Sequence, residues 1–321
     1  MTAQRIKPRR LEPGQTVGVV APGYAIDEDD QIHAALETVA SLGFRVKAGE
    51  HLFARHGYFA GDDAGRAADL MGMFADPEVA GIVCLRGGYG CSRLLPLLDF
   101  DLIRRNPKVL VGYSDVTALL NPIHARTGLV TFHGPIADQT YSAYTLAEFR
   151  KVVVAGESGV TLGAAPPFAV EPGKVERTNR VVTLASGRAT GRLVGGNLTL
   201  LAHLAGTPFA PDTRGAILFL EDVQESVHRI DRMLTQLWLT GQVQQAAGIV
   251  LGKFTEIPSA RHAHQFTLEQ VLRDRFASLS IPVLRGLMIG HVEDQTTLPI
   301  GCLVELDADA RTLTLQEPAV Q

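Results

Sequence analysis

At 321 residues the chain is long enough to bury two sizeable cores, and 46% hydrophobic with 20% charged residues is an ordinary globular composition. Thirty Lys and Arg stand against 34 Asp and Glu, a formal net charge of −4 at pH 7 with no long basic run, which argues against a nucleic acid or an anionic membrane as main partner. No run of about 18 apolar residues occurs, the basic opening "MTAQRIKPRRLEPG" lacks the apolar stretch of a secretory signal, and the three cysteines (Cys84, Cys91, Cys302) form no CxxC. These features lead us to expect a cytoplasmic protein with reduced thiols.

In chain order, "TVGVVAPG" (16–23) is a short apolar strand stopped by Pro22-Gly23. The next helix carries Ile32, Leu36, Val39 and Leu42 on one face and stops at Gly43. "RVKAGE" is a second strand. "GDDAGRAADLMGMFADP" is a helix entered through Asp62 or Asp63 and stopped before Pro77. "AGIVCLRGGYG" is a buried strand running into a glycine cluster, and "CSRLLPLL" a short helix broken at Pro96. "KVLVGYSDVTALL" reads as a buried strand, a turn at Gly112-Tyr113-Ser114 and a helix, followed by "GLVTFHGP" as a strand. Strands alternating with helices predict a mostly parallel sheet covered on both faces, with any site beyond the carboxyl ends of the strands. Three loops fall there: Pro22–Tyr24, Gly87–Gly90 and Gly112–Ser114.

From about Ala155 to Arg180 the sequence turns rich in Gly, Pro and polar residues and loses helical spacing, as a linker or crossover does. A second unit follows. "GNLTLLAHLAG" is helical, "GAILFLED" a buried strand ending in two acids, and "SVHRIDRMLTQLWL" an amphipathic helix on Val227, Ile230, Leu234 and Leu237. Next come a strand in "AGIVLGKF", a helix in "TLEQVLRDRFASL", a strand in "PVLRGLMIG" that ends at His291, and a closing hairpin in "CLVELDADARTLTLQ". The predicted division is 1–160, a linker at 161–184, and 185–321.

Ser114 has two readings. Serine is a favoured N-cap, and a helix starts here in any case. Alternatively it is a nucleophile on a sharp strand-to-helix turn: Gly112 precedes it by two residues, and the helix beyond offers the Asp115 N–H to a developing oxyanion. The motif is not G-x-S-x-G, because Val116 stands at the second glycine position. A serine nucleophile needs a base and a group that orients the base. Of the ten histidines, His33, His203 and His228 lie within helices, His124 is three turns beyond Ser114, and His262 with His264 form an isolated H-x-H beside Arg261. His133 and His291 both sit where a loop leaves a strand, and the spacing does not choose between them. Glu221 and Asp222, at a strand end, are alternative orienting acids; Asp222 or Glu225 also suits the start of the next helix. Asp231 and Arg232 read as a helix ion pair. Cys91, at a helix start, is either a thiol of lowered pKa or a small buried residue packing the turn.

Taken together, "VAPG", "LRGGYG", "VGYSDVTALL", "TGLVTFHGP", "GGNLTLLAHLAGTP", "ILFLEDVQE", "RIDRMLTQL", "GIVLGKF" and "GHVEDQTTLPIG" resemble the LD-carboxypeptidases, serine peptidases that act on cytoplasmic murein tetrapeptides, with microcin C self-immunity proteins as relatives. The matches span both units in order. The resemblance implies Ser114 as nucleophile, Glu221 as orienting acid and His291 as base, with oxyanion donors at the backbone of Asp115 and Gly88. It also implies a flavodoxin-like N-terminal domain, a smaller C-terminal α/β domain, a homodimer, no metal and no cofactor. One departure is "ESVHRIDR", where the family commonly has an aromatic near His228. The expected activity is release of terminal D-alanine from murein tetrapeptides in peptidoglycan recycling. The alternatives are a microcin C-type amidase acting on an aminoacyl-nucleotide, and a non-enzymatic ligand-binding protein in which Gly87–Gly90 cradles an anion.

Overall fold

The computed structural model describes residues 5–259 and 264–321. The first unit follows the predicted alternation: β1 (Thr16–Val20), α1 (Asp29–Ser41), β2 (Arg45–Ala48), α2 (Asp63–Ala75), β3 (Val79–Cys84), α3 (Cys91–Leu94), α4 (Phe100–Arg105), β4 (Val109–Gly112), α5 (Thr117–Thr127), β5 (Thr131–His133) and α6 (Ala143–Phe149). Local chemistry sets the boundaries. Asp62 caps α2 by accepting the Gly65 N–H at 2.7 Å, and α5 stops at Gly128 in the left-handed conformation.

The five strands pair in parallel in the order β2-β1-β3-β4-β5, the flavodoxin-like order. All of β4 and nearly all of β1 and β3 are buried, as strands covered on both faces must be.

The second unit holds β6 (Val160–Thr161), β7 (Val182–Ala185), β8 (Arg188–Asn197), α7 (Leu198–Leu204), β9 (Ile217–Val223), α8 (Val227–Leu239), α9 (Gln242–Gln245), β10 (Gly248–Thr255), α10 (Leu268–Phe276), β11 (Val283–Arg285), β12 (Leu298–Ile300), β13 (Leu303–Asp307) and β14 (Thr312–Leu315). Its eight-stranded sheet runs β6-β14-β13-β8-β9-β10-β11-β7, parallel from β8 to β11 and antiparallel outside. The chain between β6 and β7 passes from one edge of this sheet to the other, and it is helix-free as expected.

Three features depart from the sequence reading. "RATGRLVGG" forms the long strand β8, whose three glycines disguise it. The strand expected to reach His291 stops at Arg285, with Gly286 and Gly290 at φ 104° and 100°. β12 leaves its own unit and pairs antiparallel with β5, so the first sheet has six strands.

The two faces of β9 split the core. Ile217 and Phe219 join the core that includes the first sheet, while Leu218 and Leu220 pack with Ile230, Leu234 and Leu237 of α8. One face of the second sheet therefore rests against the first unit, and the other is covered by helices.

Candidate active site

β4 delivers the chain to an abrupt turn. Tyr113 is extended at φ −148°, and Ser114 then takes φ 62°, a left-handed conformation that non-glycine residues rarely adopt. A short tight-helical turn over Ser114–Val116 leads into α5; it is entered through Tyr113 and α5 through Val116, neither with a side-chain cap. Ser114 therefore does not serve as a cap. Its backbone carries roughly 1–3 kcal/mol of strain, of the kind that concentrates at functional sites. Gly112 makes the turn sterically possible: a methyl there would come 2.8 Å from Val116 Cγ1.

The glycine loop after β3 closes over this turn. A methyl on Gly87 would lie 3.0 Å from Ser114 Cβ and 3.2 Å from the Asp115 backbone nitrogen. Gly88, the expected donor, has φ 98° and sits under the Tyr24 ring. Asp115 is fully buried. Its Oδ2 accepts the Cys91 N–H at 2.9 Å, while its Oδ1 has no partner, and burial pushes the carboxyl up from its ordinary value.

Alternation along β9 separates the two candidate acids. Glu221 shares the face of Ile217 and Phe219, so it points at the first unit; Asp222 points the other way, towards α7 and α8. Glu221 Oε2 lies 2.8 Å from His291 Nδ1. Its Oε1 lies 3.7 Å from Nε2 of His133, the last residue of β5. Burial alone would raise this carboxyl, but the two imidazoles outweigh it and hold it at about 2.

Asp222 accepts from the Asn197 amide at 2.9 Å and from the Thr199 N–H and hydroxyl at 3.0 and 2.8 Å, so it anchors the start of α7. Burial and the neighbouring Glu221 push it up to about 6.

The units meet around α5. Asn121 donates to Gly195 O at 2.8 Å and accepts from Gly195 N at 3.2 Å, and the Asn197 N–H donates to Thr117 Oγ1 at 3.1 Å. Gly196, at φ 142°, permits this approach, since a methyl there would lie 2.5 Å from Thr117 Oγ1. The helix that starts at the serine turn is thus tied to the strand neighbouring Glu221.

Tyr113 was missed by the sequence reading. Its ring packs edge-on against His291, centroids 4.8 Å apart, and also faces His133 at 6.0 Å. Burial, then Glu221, pushes its hydroxyl up to about 12, so it stays protonated. Only its place beside Ser114 signalled it. Gln295 was missed as well; it is fully buried and donates to Gly290 O at 3.1 Å, bracing the loop that carries His291.

Other expectations resolve simply. Cys91 is fully buried with its thiol raised well above the ordinary value, chiefly by burial, so the reading of a lowered thiol pKa is corrected. Asp231 pairs with Arg275 at 2.6 Å rather than with Arg232, because adjacent helical residues do not face each other. His33, His203, His228 and His264 are exposed, His124 donates through Nδ1 to Leu129 O at 2.9 Å, and His262 lies outside the described residues. Among the described residues no group of three or more His, Cys, Asp or Glu is placed to hold a metal ion, and no helix is long and apolar enough to cross a membrane.

Residues 17–134 match the LD-carboxypeptidase N-terminal domain and residues 190–306 the LD-carboxypeptidase C-terminal domain. The chain is 40% identical to the probable murein peptide carboxypeptidase of Bacillus subtilis (strain 168), over 97% of this chain and 94% of that protein. It is 34% identical to the murein tetrapeptide carboxypeptidase of Pseudomonas aeruginosa, over 91% and 93%. Among solved structures, microcin C7 self-immunity protein MccF in complex with glutamyl sulfamoyl guanosine superposes with a TM-score of 0.87 at 27% identity, covering 98% of this chain and 99% of that one. With both halves matched in order and nearly the whole length covered, this chain belongs to the LD-carboxypeptidase family of peptidases.

Proposed function

We propose that the protein is a serine LD-carboxypeptidase that releases terminal D-alanine from murein tetrapeptides by hydrolysing the amide between an L-configured centre and the D-residue. The observation that carries this reading is the buried, ionised Glu221 bonded to His291 Nδ1 at 2.8 Å, in a molecule whose Ser114 is held on a left-handed strand-to-helix turn. Glu221 fixes the imidazole tautomer, leaving Nε2 to take the Ser114 proton. Ser114 Oγ attacks the carbonyl as that proton leaves, and the N–H groups of Asp115 and Gly88 receive the oxyanion. His291 then protonates the departing D-alanine amine. Water, deprotonated by the same imidazole, hydrolyses the acyl-enzyme and restores Ser114.

In this reading residues 1–160 carry the nucleophile, 185–321 carry the acid and base, and 161–184 connect them. The setting is the cytoplasm, in peptidoglycan recycling, and the working form is a homodimer.

The likeness to MccF in complex with glutamyl sulfamoyl guanosine favours one second reading, the same machinery acting on an aminoacyl-nucleotide amide. The deciding experiment incubates the enzyme separately with murein tetrapeptide and with processed microcin C and identifies the products by mass. Loss of D-alanine from the tetrapeptide supports the proposal. Cleavage of the nucleotide substrate alone transfers it to the amidase. A fluorophosphonate that fails to label Ser114, with neither substrate turned over, leaves the ligand-binding alternative.

A further inference from the structure

Glu221 has two oxygens and only one hydrogen bond to a base. Its Oε1 is buried without a hydrogen-bond partner, and so are both ring nitrogens of His133. These groups face each other, with His133 Nε2 at 3.7 Å from Oε1. A hydrogen bond needs about 2.7–3.2 Å, so a small ring movement closes the contact. Three polar atoms left unpaired beside one another in a fully buried place would be costly unless they serve one another.

We propose that His133, with its proton on Nε2, is a positioning residue that donates to Glu221 Oε1 and so holds the carboxylate in the orientation that serves His291. The proposal rests on the triad reading above. Its support is geometric. His133 ends β5 opposite Gly112 of β4, so it comes from the sheet that carries the serine turn, while Glu221 comes from the other sheet. A donor there fixes the carboxylate through Oε1, the oxygen that His291 does not use.

The ring has little freedom. Phe219 packs edge-on at 5.1 Å and Tyr113 edge-on at 6.0 Å. The titratable groups facing it are Glu221 from β9, Tyr113 from the end of β4, and His291 across the carboxylate. The neighbouring β12 presents Leu298 opposite it in register. A second proton, on Nδ1, would place a donor where no acceptor exists, so a single proton on Nε2 fits the surroundings.

Two substitutions separate this role from packing. In His133→Gln the side-chain amide nitrogen falls near the position of Nε2; in His133→Asn it falls near Nδ1. His133→Phe keeps a ring and removes both nitrogens. On murein tetrapeptide, we expect His133→Phe and His133→Asn to lose about 10- to 100-fold in kcat with little change in KM, the scale of one hydrogen bond to a charged group. His133→Gln should stay within about fivefold of wild type, as expected when the donor is retained. Without the donor, Glu221 holds a proton on His291 more firmly, so the acid limb of the kcat profile moves to higher pH in the Phe variant and returns in the Gln variant.

Equal activity of the Gln and Asn variants, or a Phe variant with unchanged kcat and an unmoved acid limb, overturns the proposal. If the Phe variant does not fold, the Gln and Asn pair decides. Ser114→Ala and His291→Ala in the same assay keep the two readings apart. Activity surviving in either sinks the triad, whereas their inactivity with a flat His133 series sinks only the positioning role.

Discussion

Ser114 stands at φ 62°, where a serine pays a steric penalty that glycine does not. Two substitutions therefore part company. Ser114→Ala removes the hydroxyl and keeps the strain; Ser114→Gly removes both. We expect turnover to fall roughly 10⁴- to 10⁶-fold in each, the range for removing a triad nucleophile. Relative to Ser114→Ala, Ser114→Gly should be more stable by about 1 kcal/mol, net of the extra freedom glycine has when unfolded. Urea titrations of the two variants test the second point, and a less stable glycine variant would show that the turn is not strained. Activity within tenfold of wild type in either variant would remove Ser114 from the mechanism. The sequence exposed Ser114 as the residue of interest but left it between cap and nucleophile, because both readings place serine before a helix. The φ angle and the absence of a cap bond remove the cap reading, and neither is visible in residue types.

At the scale of single elements, the turn and the acid pair carry the consequences. A methyl at Gly112 would sit 2.8 Å from Val116 Cγ1. Gly112→Ala should therefore cost about 1–3 kcal/mol by overpacking, and adding Val116→Ala should recover most of it. Thermal unfolding of the two single variants and the double variant measures this; a strictly additive result would mean that the two side chains do not compete for the space. Asp222, raised from 3.8 to about 6, makes a pH-dependent contribution. The folded state holds a proton that the unfolded chain releases first, so this group favours folding at low pH. That contribution is lost as pH rises from about 4 through about 6. Glu221, lowered from 4.5 to about 2, has the opposite sign: its contribution is present above about 4.5 and lost as pH falls through about 2. The urea midpoints of wild type and Asp222→Asn should accordingly diverge with pH between about 4 and 6 and run parallel above about 7; parallel curves throughout would place Asp222's titration elsewhere. Strand periodicity accounts for this division of labour, since residues 221 and 222 face opposite sides of β9. The sequence showed the pair at a strand end. It did not show which face met the other unit, because that depends on how the second sheet docks. The same limit hid β8, where glycines that look like breakers serve close packing against α5. Spacing also left His133 and His291 unresolved, with only the resemblance favouring His291, and the fold places both beside one carboxylate.

At the scale of the molecule, the two units share a sheet. β12 belongs in sequence to the second unit, between β11 and β13, yet it completes the first sheet as the antiparallel partner of β5. Its register sets Leu298 opposite His133, so the missing strand borders the residue that faces Glu221. A boundary at 161–184, natural from composition, therefore leaves one strand of the first sheet on its C-terminal side. Residues 1–160 alone would leave β5 as an open, apolar edge, and such edges recruit other chains. Residues 185–321 alone would carry β12 with nothing to pair it, and would expose the face of β9 that bears Ile217 and Phe219. We therefore expect the 1–160 fragment to aggregate when made alone, and the two fragments made together to assemble and regain activity. Asn121, bonded to Gly195 in both directions across the junction, tests whether that assembly depends on the docking seen here. Asn121→Leu in the first fragment leaves the Gly195 N–H and C=O unpaired, which costs about 1–3 kcal/mol for each buried group left without a partner. It should weaken reassembly strongly while changing the unfolding of the intact chain less, because the intact chain holds its two units at high effective concentration. Gel filtration of the mixed fragments with a parallel activity assay gives the reading. A soluble, monomeric 1–160 fragment with cooperative unfolding of its own would show that β12 is an accessory to the first sheet rather than a part of it.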